Sequence, residues 1–388
     1  MNSFAARIYA FKFADGFMLV YPLYALMFVE AGLSPNEIGV CLAAWSLTSF
    51  LLQIPAGVIA DRFSRRAILA LAQAIRAAGY VIWLFYPDFW GFFAGFILWG
   101  IKSAFTGGTF EALVFDELKA LGREADYTRI IGRTQSAGFI AILAASLGAA
   151  LVIRLGFHAV IQASVAAGLI ATILPMTLAR APRSAVAGDI SYFEHLRLGL
   201  AQTISNRTLL GLVFFLSLVL ALGGTLDEFF SILGAKAGLT KPLVALLIGA
   251  MSAGQAIASA LAHRVRHVAT PWLYALFALG GGFLAVTAWL FQPWAMGLLI
   301  VFSAVFKVID VIWEGRMQPI IPDETRATIG SVRGFLVALA VTLFSLGFGP
   351  LAQATSYRTA FLLTGFAIIA AGLAYLLQSL WRSLRPQA

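Results

Sequence analysis

Long apolar runs alternate with short polar loops along the whole chain. Windows of about 20 apolar residues, the length that crosses a bilayer as a helix, predict twelve membrane-spanning helices. These spans fall near 6–29, 36–59, 66–86, 90–118, 130–153, 158–179, 208–234, 242–263, 271–291, 295–320, 329–352 and 358–380. The pattern therefore predicts an all-α membrane protein rather than a set of soluble domains.

Short sequence matches recur in the same order in the two halves of the chain. The matching segments are 31–34 with 237–240, 46–53 with 252–259, and 146–148 with 345–347. Their order predicts two pseudo-symmetric six-helix halves related by a parallel repeat, an architecture in which substrate sites lie near the bilayer midplane. We expect the halves to be residues 1–180 and 208–388, joined by a cytoplasmic linker of residues 181–207.

Composition and charge agree with a chain that lies mostly in lipid. Of the 388 residues, 61% are hydrophobic and 12% are charged, whereas soluble domains are roughly 45–50% apolar and about 25% charged. The net charge of +9 does not indicate nucleic-acid binding, because Lys and Arg are scattered through loops along the whole chain. With the N-terminus in the cytoplasm, the inner loops and ends carry sixteen of these cations and the outer loops carry four. The positive-inside rule then predicts that both termini are cytoplasmic. We expect a plasma-membrane protein of the bacterial inner-membrane type.

The loop between spans two and three carries the most specific motif. Residues 57–66 read GVIADRFSRR and resemble the signature loop of the major facilitator superfamily, GxxxDRxGRR, with Ser64 where the family has glycine. The resemblance covers the whole chain and implies a secondary transporter that works by alternating access, as a monomer. The matching loop of the second half, residues 263–267, has lost the pattern.

Charges of this loop predict an inner gate. Gly57 lets helix ends approach closely, and a carboxylate with arginines can form charge-assisted hydrogen bonds to neighbouring helix ends. Such a cluster would close the inner side while the outer side is open; the alternative is a solvated basic loop that only sets topology. The predicted gate residues are Gly57, Asp61, Arg62, Arg65, Arg66, Asp116, Arg129 and Arg133.

Several ionisable side chains lie inside predicted spans, where each costs about 2.5–3.5 kcal/mol and marks a pathway or a structural pair. Span ten presents Ser303, Lys307, Asp310 and Glu314 on one face, and span one presents Tyr9, Lys12 and Asp15. A carboxylate in a cavity shielded from water can bind and release a proton as access alternates. Proton coupling is therefore physically available, and static ion pairing is the alternative.

Span four and span seven add further candidates. Lys102 and Glu111 lie nine residues apart and are expected on opposite faces, with Lys102, Thr106, Thr109 and Asp116 forming one face. Residues 98–108 resemble the family's span-four motif, with lysine where arginine is usual. Asp227 and Glu228 follow Gly223-Gly224 toward the outer side, so they belong either to a substrate cavity or to an outer vestibule.

These observations define the candidate site residues. The acids predicted to couple protons are Asp15, Glu111, Asp310 and Glu314. The residues predicted to line the substrate cavity are Lys102, Thr106, Lys307, Ser303, Asp227 and Glu228. The lone cysteine, Cys41, lies inside a predicted span and excludes a disulfide framework and a cysteine metal site, so we expect no metal and no cofactor.

The sequence favours transport over catalysis. It contains no HExxH, no P-loop lysine motif and no GxSxG elbow, so the energy should come from ion gradients. The first hypothesis is proton-coupled efflux of a small organic solute, although the Gly-Pro motif usual in span five of the family's antiporters is missing. The alternative is a proton-coupled importer of a small metabolite or organic anion, and a channel or non-transporting scaffold is more remote. Expected partners are a small-molecule substrate, protons and membrane lipids, but no nucleic acid.

Overall fold

The computed structural model describes residues 2–178, 207–265, 267–317 and 326–384. The chain divides into two compact units, Met1–Leu196 and Arg197–Ala388. Their boundary falls inside the predicted linker, of which residues 181–206 lie outside the described part. The described residues form helices and connecting turns with no β-strand, so the predicted all-α architecture is confirmed.

Eight α-helices of the N-terminal unit are described. They are α1 (Asn2–Gly16), α2 (Tyr24–Glu30), α3 (Pro35–Arg62), α4 (Arg65–Phe85), α5 (Phe89–Thr106), α6 (Thr109–Ala120), α7 (Tyr127–Val152) and α8 (Phe157–Ile173). The described helices of the C-terminal unit are α9 (Arg207–Lys236), α10 (Lys241–Leu261), α11 (Thr270–Leu290), α12 (Leu298–Met317), α13 (Arg326–Ala354) and α14 (Tyr357–Leu384).

Ten helical stretches of the described chain are long and apolar enough to cross a membrane. The predicted spans 6–29 and 36–59 are not among them. The first is interrupted at residues 17–23, so neither α1 nor α2 is long enough to cross alone. The second corresponds to α3, in which the side chains of Ile54 and Asp61 lie outside the described part. A polytopic helical membrane protein is therefore confirmed, and the number twelve stays a prediction.

Predicted span 90–118 consists of two helices rather than one. Helix α5 ends at Thr106, α6 begins at Thr109, and Gly108 between them has a φ of 74°. A residue with a side chain adopts this left-handed conformation at a cost of roughly 1–2 kcal/mol, which glycine avoids. The single helical face predicted for residues 102–116 is therefore wrong, because the helical repeat of 3.6 residues is interrupted between α5 and α6.

The two units repeat the same connection after their first span. Gly32 follows α2 with a φ of 96°, and Gly238 follows α9 with a φ of 101°. The next helices begin at Pro35 and Lys241, an offset of 206 residues that equals the offset of the sequence matches. Both units thus end one helix with a left-handed glycine and start the next helix three residues later.

Glycines let α11 and α14 approach closely in the C-terminal unit. A Cβ added at Gly281 would lie 2.8 Å from the main-chain oxygen of Gly365, and one added at Gly372 would lie 2.8 Å from the main-chain nitrogen of Ala278. Membrane helices pack through small residues in this way because lipid provides no hydrophobic force between them. This contact fixes α11 against α14.

Candidate functional site

A buried charge cluster surrounds Asp15 in the N-terminal unit. Asp15 is the penultimate residue of α1 and is 8% exposed. The Nζ atom of Lys102 on α5 lies 2.7 Å from its Oδ1 atom, and Nε2 of Gln73 on α4 donates to the same oxygen at 2.8 Å. Nζ of Lys12 lies 3.5 Å from the other oxygen. Both carboxylate oxygens of Asp15 therefore have donors, and the cluster ties α1 to α4 and α5.

Arg76 completes this cluster and was missed from the sequence. Its side chain is 1% exposed, and Nη1 donates to the main-chain oxygen of Asp15 at 2.6 Å while Nη2 donates to Oε1 of Gln73 at 2.6 Å. Because Arg76 is the central residue of predicted span 66–86, the rule that flags ionisable residues inside spans applied to it as well. Arg76 could therefore have been predicted as a site residue from the sequence.

The interruption after α1 explains why cations gather around Asp15. A helix that ends inside the bilayer leaves main-chain carbonyl groups without partners, and its C-terminus carries partial negative charge. Arg76 donates to one of these carbonyl groups, and Lys102 and Lys12 neutralise the carboxylate beside it. The cluster stabilises a helix end that lipid alone could not.

The remaining span-four candidates lie apart from this cluster. The hydroxyl of Thr106 donates to the main-chain oxygen of Lys102 at 3.0 Å, so it is bound within its own helix. Glu111 lies on α6, after the break, and is exposed. Of the three, the structure brings only Lys102 to Asp15.

A pocket of about 160 Å³ lies within the C-terminal unit. It is lined by Val219, Leu220, Gly223, Gly224 and Asp227 from α9, Gln255 from α10, and Ser303, Phe306, Lys307 and Asp310 from α12. Nζ of Lys307 lies 2.7 Å from Oδ2 of Asp310, one helical turn away. Four predicted residues of this unit therefore share one polar pocket, whereas Glu228 is not among the residues that line it.

Two polar atoms of this pocket have no partner among the described residues. Oδ1 of Asp227 and Oγ of Ser303 are both buried and make no hydrogen bond there. Ser303 as a whole is only 5% exposed. Because a buried polar atom without a hydrogen bond is costly, these atoms are positioned to receive a donor from water, a proton or a ligand.

Glu314, the last acid of the span-ten stripe, has a different environment. Its Oε2 atom accepts a hydrogen bond from Nη1 of Arg333 on α13. Arg333 was also missed from the sequence, although it lies inside predicted span 329–352. The pair links α12 to α13, and Glu314 is not among the residues that line the pocket.

At the predicted inner end of the N-terminal unit, Arg65 joins α4 to α6. Nη1 of Arg65 donates to Oδ2 of Asp116 and also to the main-chain oxygen of Ala112 at 3.1 Å. Nη1 of Arg66 donates to the main-chain oxygen of Leu178 at 3.2 Å. The first turn of α4 is therefore anchored at two points.

The other predicted gate residues have separate environments where the structure describes them. A Cβ added at Gly57 would meet no atom within 4 Å, so the close approach expected there is not seen among the described residues. Arg62 and Arg133 are exposed. Arg129 pairs with Asp126 at 2.9 Å instead of with the loop. The side chain of Asp61 lies outside the described part.

No metal centre is found in the described ranges: no group of three or more His, Cys, Asp or Glu residues there is arranged to hold an ion.

Comparison with known proteins agrees with this architecture. The profile of the Major Facilitator Superfamily matches residues 8–345. The chain is 29% identical over 153 residues to "Inner membrane transport protein YajR" of Escherichia coli (strain K12), a match that covers 39% of this chain and 32% of that protein. The chain thus spans about a third of this curated relative.

Solved structures of low sequence identity share the fold. The nucleoside transporter NupG has a TM-score of 0.78 at 16% identity, covering 97% of this chain and 99% of that one. A bacterial homologue of the human lysosomal transporter Spinster has a TM-score of 0.72 at 16% identity, covering 98% and 97%. At these identities the likeness establishes the fold alone.

The chain belongs to the Major Facilitator Superfamily, because the family profile covers most of its length. The curated relative and the two solved structures above are named as transport proteins or transporters.

Proposed function

We propose that the chain is a monomeric, proton-coupled secondary transporter that exports a small organic solute across the plasma membrane by alternating access. The observation that carries this proposal is the polar pocket of the C-terminal unit, in which Asp227, Asp310 and Lys307 meet within an apolar membrane domain. Charged groups inside a membrane domain mark a pathway or a structural pair, and the pocket beside these groups favours a pathway. Both termini are proposed to be cytoplasmic, as the arginine bias predicts.

The pocket has the size and chemistry for coupling. A volume of about 160 Å³ corresponds to about five water molecules at roughly 30 Å³ each, enough for a proton donor or a small polar group. Of the acids predicted to couple protons, only Asp310 lines this pocket, where Lys307 is its counter-charge, and Asp15 has Lys102 as its counter-charge in the N-terminal cluster. Glu111 is exposed, and Glu314 pairs with Arg333 outside the pocket lining.

A closing contact on the inner side belongs to the same proposal. The pair of Arg65 and Asp116 supports such a role, because it ties α4 to the helix that follows the break in span four. Opening would separate two charges that are both largely buried, which gives the closed state a definite stability.

Import of a small metabolite or organic anion is the second candidate. It is favoured by Lys102 and Lys307, two half-buried lysines that could neutralise an anionic group. The direction of the driving pH gradient separates the two candidates, because antiport and symport require opposite gradients.

The test uses the full chain in proteoliposomes with three labelled probes: tetraphenylphosphonium, uridine and benzoate. If a probe is exchanged for protons, an acidic interior drives its uptake, whereas proton symport requires an acidic exterior. One pH unit supports about tenfold accumulation per proton. Counterflow of a probe without a pH gradient identifies a carrier. Failure of all three probes under both gradients and in counterflow would contradict transport of these solute classes.

A matched pair of variants on α9 connects transport to the pocket. Gly224→Leu places a side chain in the pocket lining, whereas Gly211→Leu adds the same side chain at an exposed position where a new Cβ meets nothing within 4 Å. We expect Gly224→Leu to abolish gradient-driven accumulation and Gly211→Leu to keep it. Equal transport by the two variants would remove the pocket from the pathway.

A further inference from the structure

Asp227 and Asp310 line the same pocket, but their carboxyl groups are not equivalent. Oδ2 of Asp310 is held by Nζ of Lys307 at 2.7 Å. Oδ1 of Asp227 is buried and has no hydrogen-bond partner among the described residues. A proton that binds Oδ2 of Asp310 would break a charge-assisted hydrogen bond to Lys307, whereas a proton that binds Oδ1 of Asp227 breaks no hydrogen bond at that atom.

We propose that Asp227 is the carboxyl group that takes up and releases the coupled proton, while Asp310 keeps Lys307 in place. This inference rests on the proposed function and names the residue that performs the coupling. The step is simple: one O–H bond to the carboxylate forms as a proton leaves a water molecule or hydronium ion in the pocket, and the same bond breaks on release.

The sequence around Asp227 leaves room for that step. Residues 219, 220, 223, 224 and 227 form one face of α9, and this face lines the pocket. Helical side chains lean toward the preceding turn, which for Asp227 contains Gly223 and Gly224. These two positions have no side chain, and Asp227 lines the pocket together with them, so its carboxyl group adjoins the pocket space.

The charged groups near Asp227 belong to two helices, α9 and α12. On α9 itself its neighbour is Glu228, α12 contributes Lys307 and Asp310, and α10 contributes the uncharged Gln255. Helices α13 and α14 also pack on α9, but none of the side chains described for them lines the pocket. The pocket lining thus holds two carboxyl groups and a single ammonium group, so one acid lacks a counter-charge and a proton can supply it.

The experiment needs no substrate. The full chain is reconstituted in liposomes, and infrared difference spectra are recorded as the buffer is changed between acidic and alkaline pH. We expect the C=O stretch of a protonated carboxyl group to titrate in the native protein and to disappear in Asp227→Asn. The band should persist in Asp310→Asn and Glu228→Gln, and Asp227→Glu should keep a titrating band at a shifted position.

The outcomes separate this inference from the proposed function. A band that survives in Asp227→Asn but disappears in Asp310→Asn would overturn the role of Asp227, even where gradient-driven uptake is observed. A band lost only in Asp227→Asn would support Asp227 as the proton site, even where none of the three probes is transported. If Asp227→Asn fails to fold, the test uses Asp227→Glu. A band in that variant at the same position as in the native protein would overturn the assignment.

Discussion

At the scale of single residues, Arg76 has the clearest energetic role. It is almost fully buried and donates hydrogen bonds to both Asp15 and Gln73. Breaking a buried ion network by removing one partner costs about 3–5 kcal/mol. We therefore expect Arg76→Leu to lower the unfolding free energy by about 3 kcal/mol, measured by chemical unfolding in mixed micelles.

Arg129→Leu is the matched control for this prediction. The side chain of Arg129 is 57% exposed and pairs with Asp126 on the surface, where an ion pair contributes about 1 kcal/mol or less. Equal losses of stability in the two arginine variants would show that the Asp15 cluster is not the buried network described here.

Sequence reasoning found the acids and lysines of both units from one rule, that charges inside spans are retained for a purpose. The same rule covers Arg76 and Arg333, which could have been predicted. The pairing itself could not, because Asp15 and Arg76 are 61 residues apart and meet through helix packing that no local pattern encodes. The separation of Asp227 from Glu228 at the pocket is likewise a consequence of tertiary structure.

At the scale of helices, the break in span four depends on Gly108. Its φ of 74° lies in the left-handed region, where a side chain costs roughly 1–2 kcal/mol. We expect Gly108→Ala to destabilise the protein by about 1 kcal/mol, measured as the unfolding free energy in mixed micelles.

Gly132→Ala provides the control with the opposite sign. Gly132 lies inside α7, is exposed, and has no atom within 4 Å of an added Cβ. Alanine is favoured over glycine in a helix by roughly 0.5–1 kcal/mol, so this variant should be stabilised. A continuous helix through residues 107 and 108 would instead make Gly108→Ala stabilising too.

Hydropathy located the span correctly but not its interruption. Gly107 and Gly108 were the local signal for a break. This signal is missed when one helical period is assumed for the whole span. The interruption between Gly16 and Tyr24 also has local signals, because Gly16 is the last residue of α1 and Pro22 lies two residues before α2. There the cations of neighbouring helices stabilise the helix end, and these lie far away in sequence.

At the scale of the whole molecule, the repeat and the arginine bias make a joint prediction about topology. A parallel repeat requires corresponding loops of the two halves to face the same side of the membrane. Asp88 and Gln292 lie in corresponding connections that the positive-inside rule assigns to the outside. Gly122 and His267 lie in connections assigned to the cytoplasm.

Cysteine labelling tests this arrangement directly. The sole cysteine of the chain, Cys41, is fully buried, and Cys41→Ser removes any background. In intact cells, a membrane-impermeant maleimide should label Asp88→Cys and Gln292→Cys, but should label Gly122→Cys and His267→Cys only after permeabilisation. Because an inverted repeat would place the corresponding connections of Asp88 and Gln292 on opposite sides of the membrane, labelling of Asp88→Cys without Gln292→Cys would contradict the parallel relation of the halves. Labelling of Gly122→Cys and His267→Cys in intact cells would instead show that the chain has the opposite orientation, a result that does not bear on the parallel repeat.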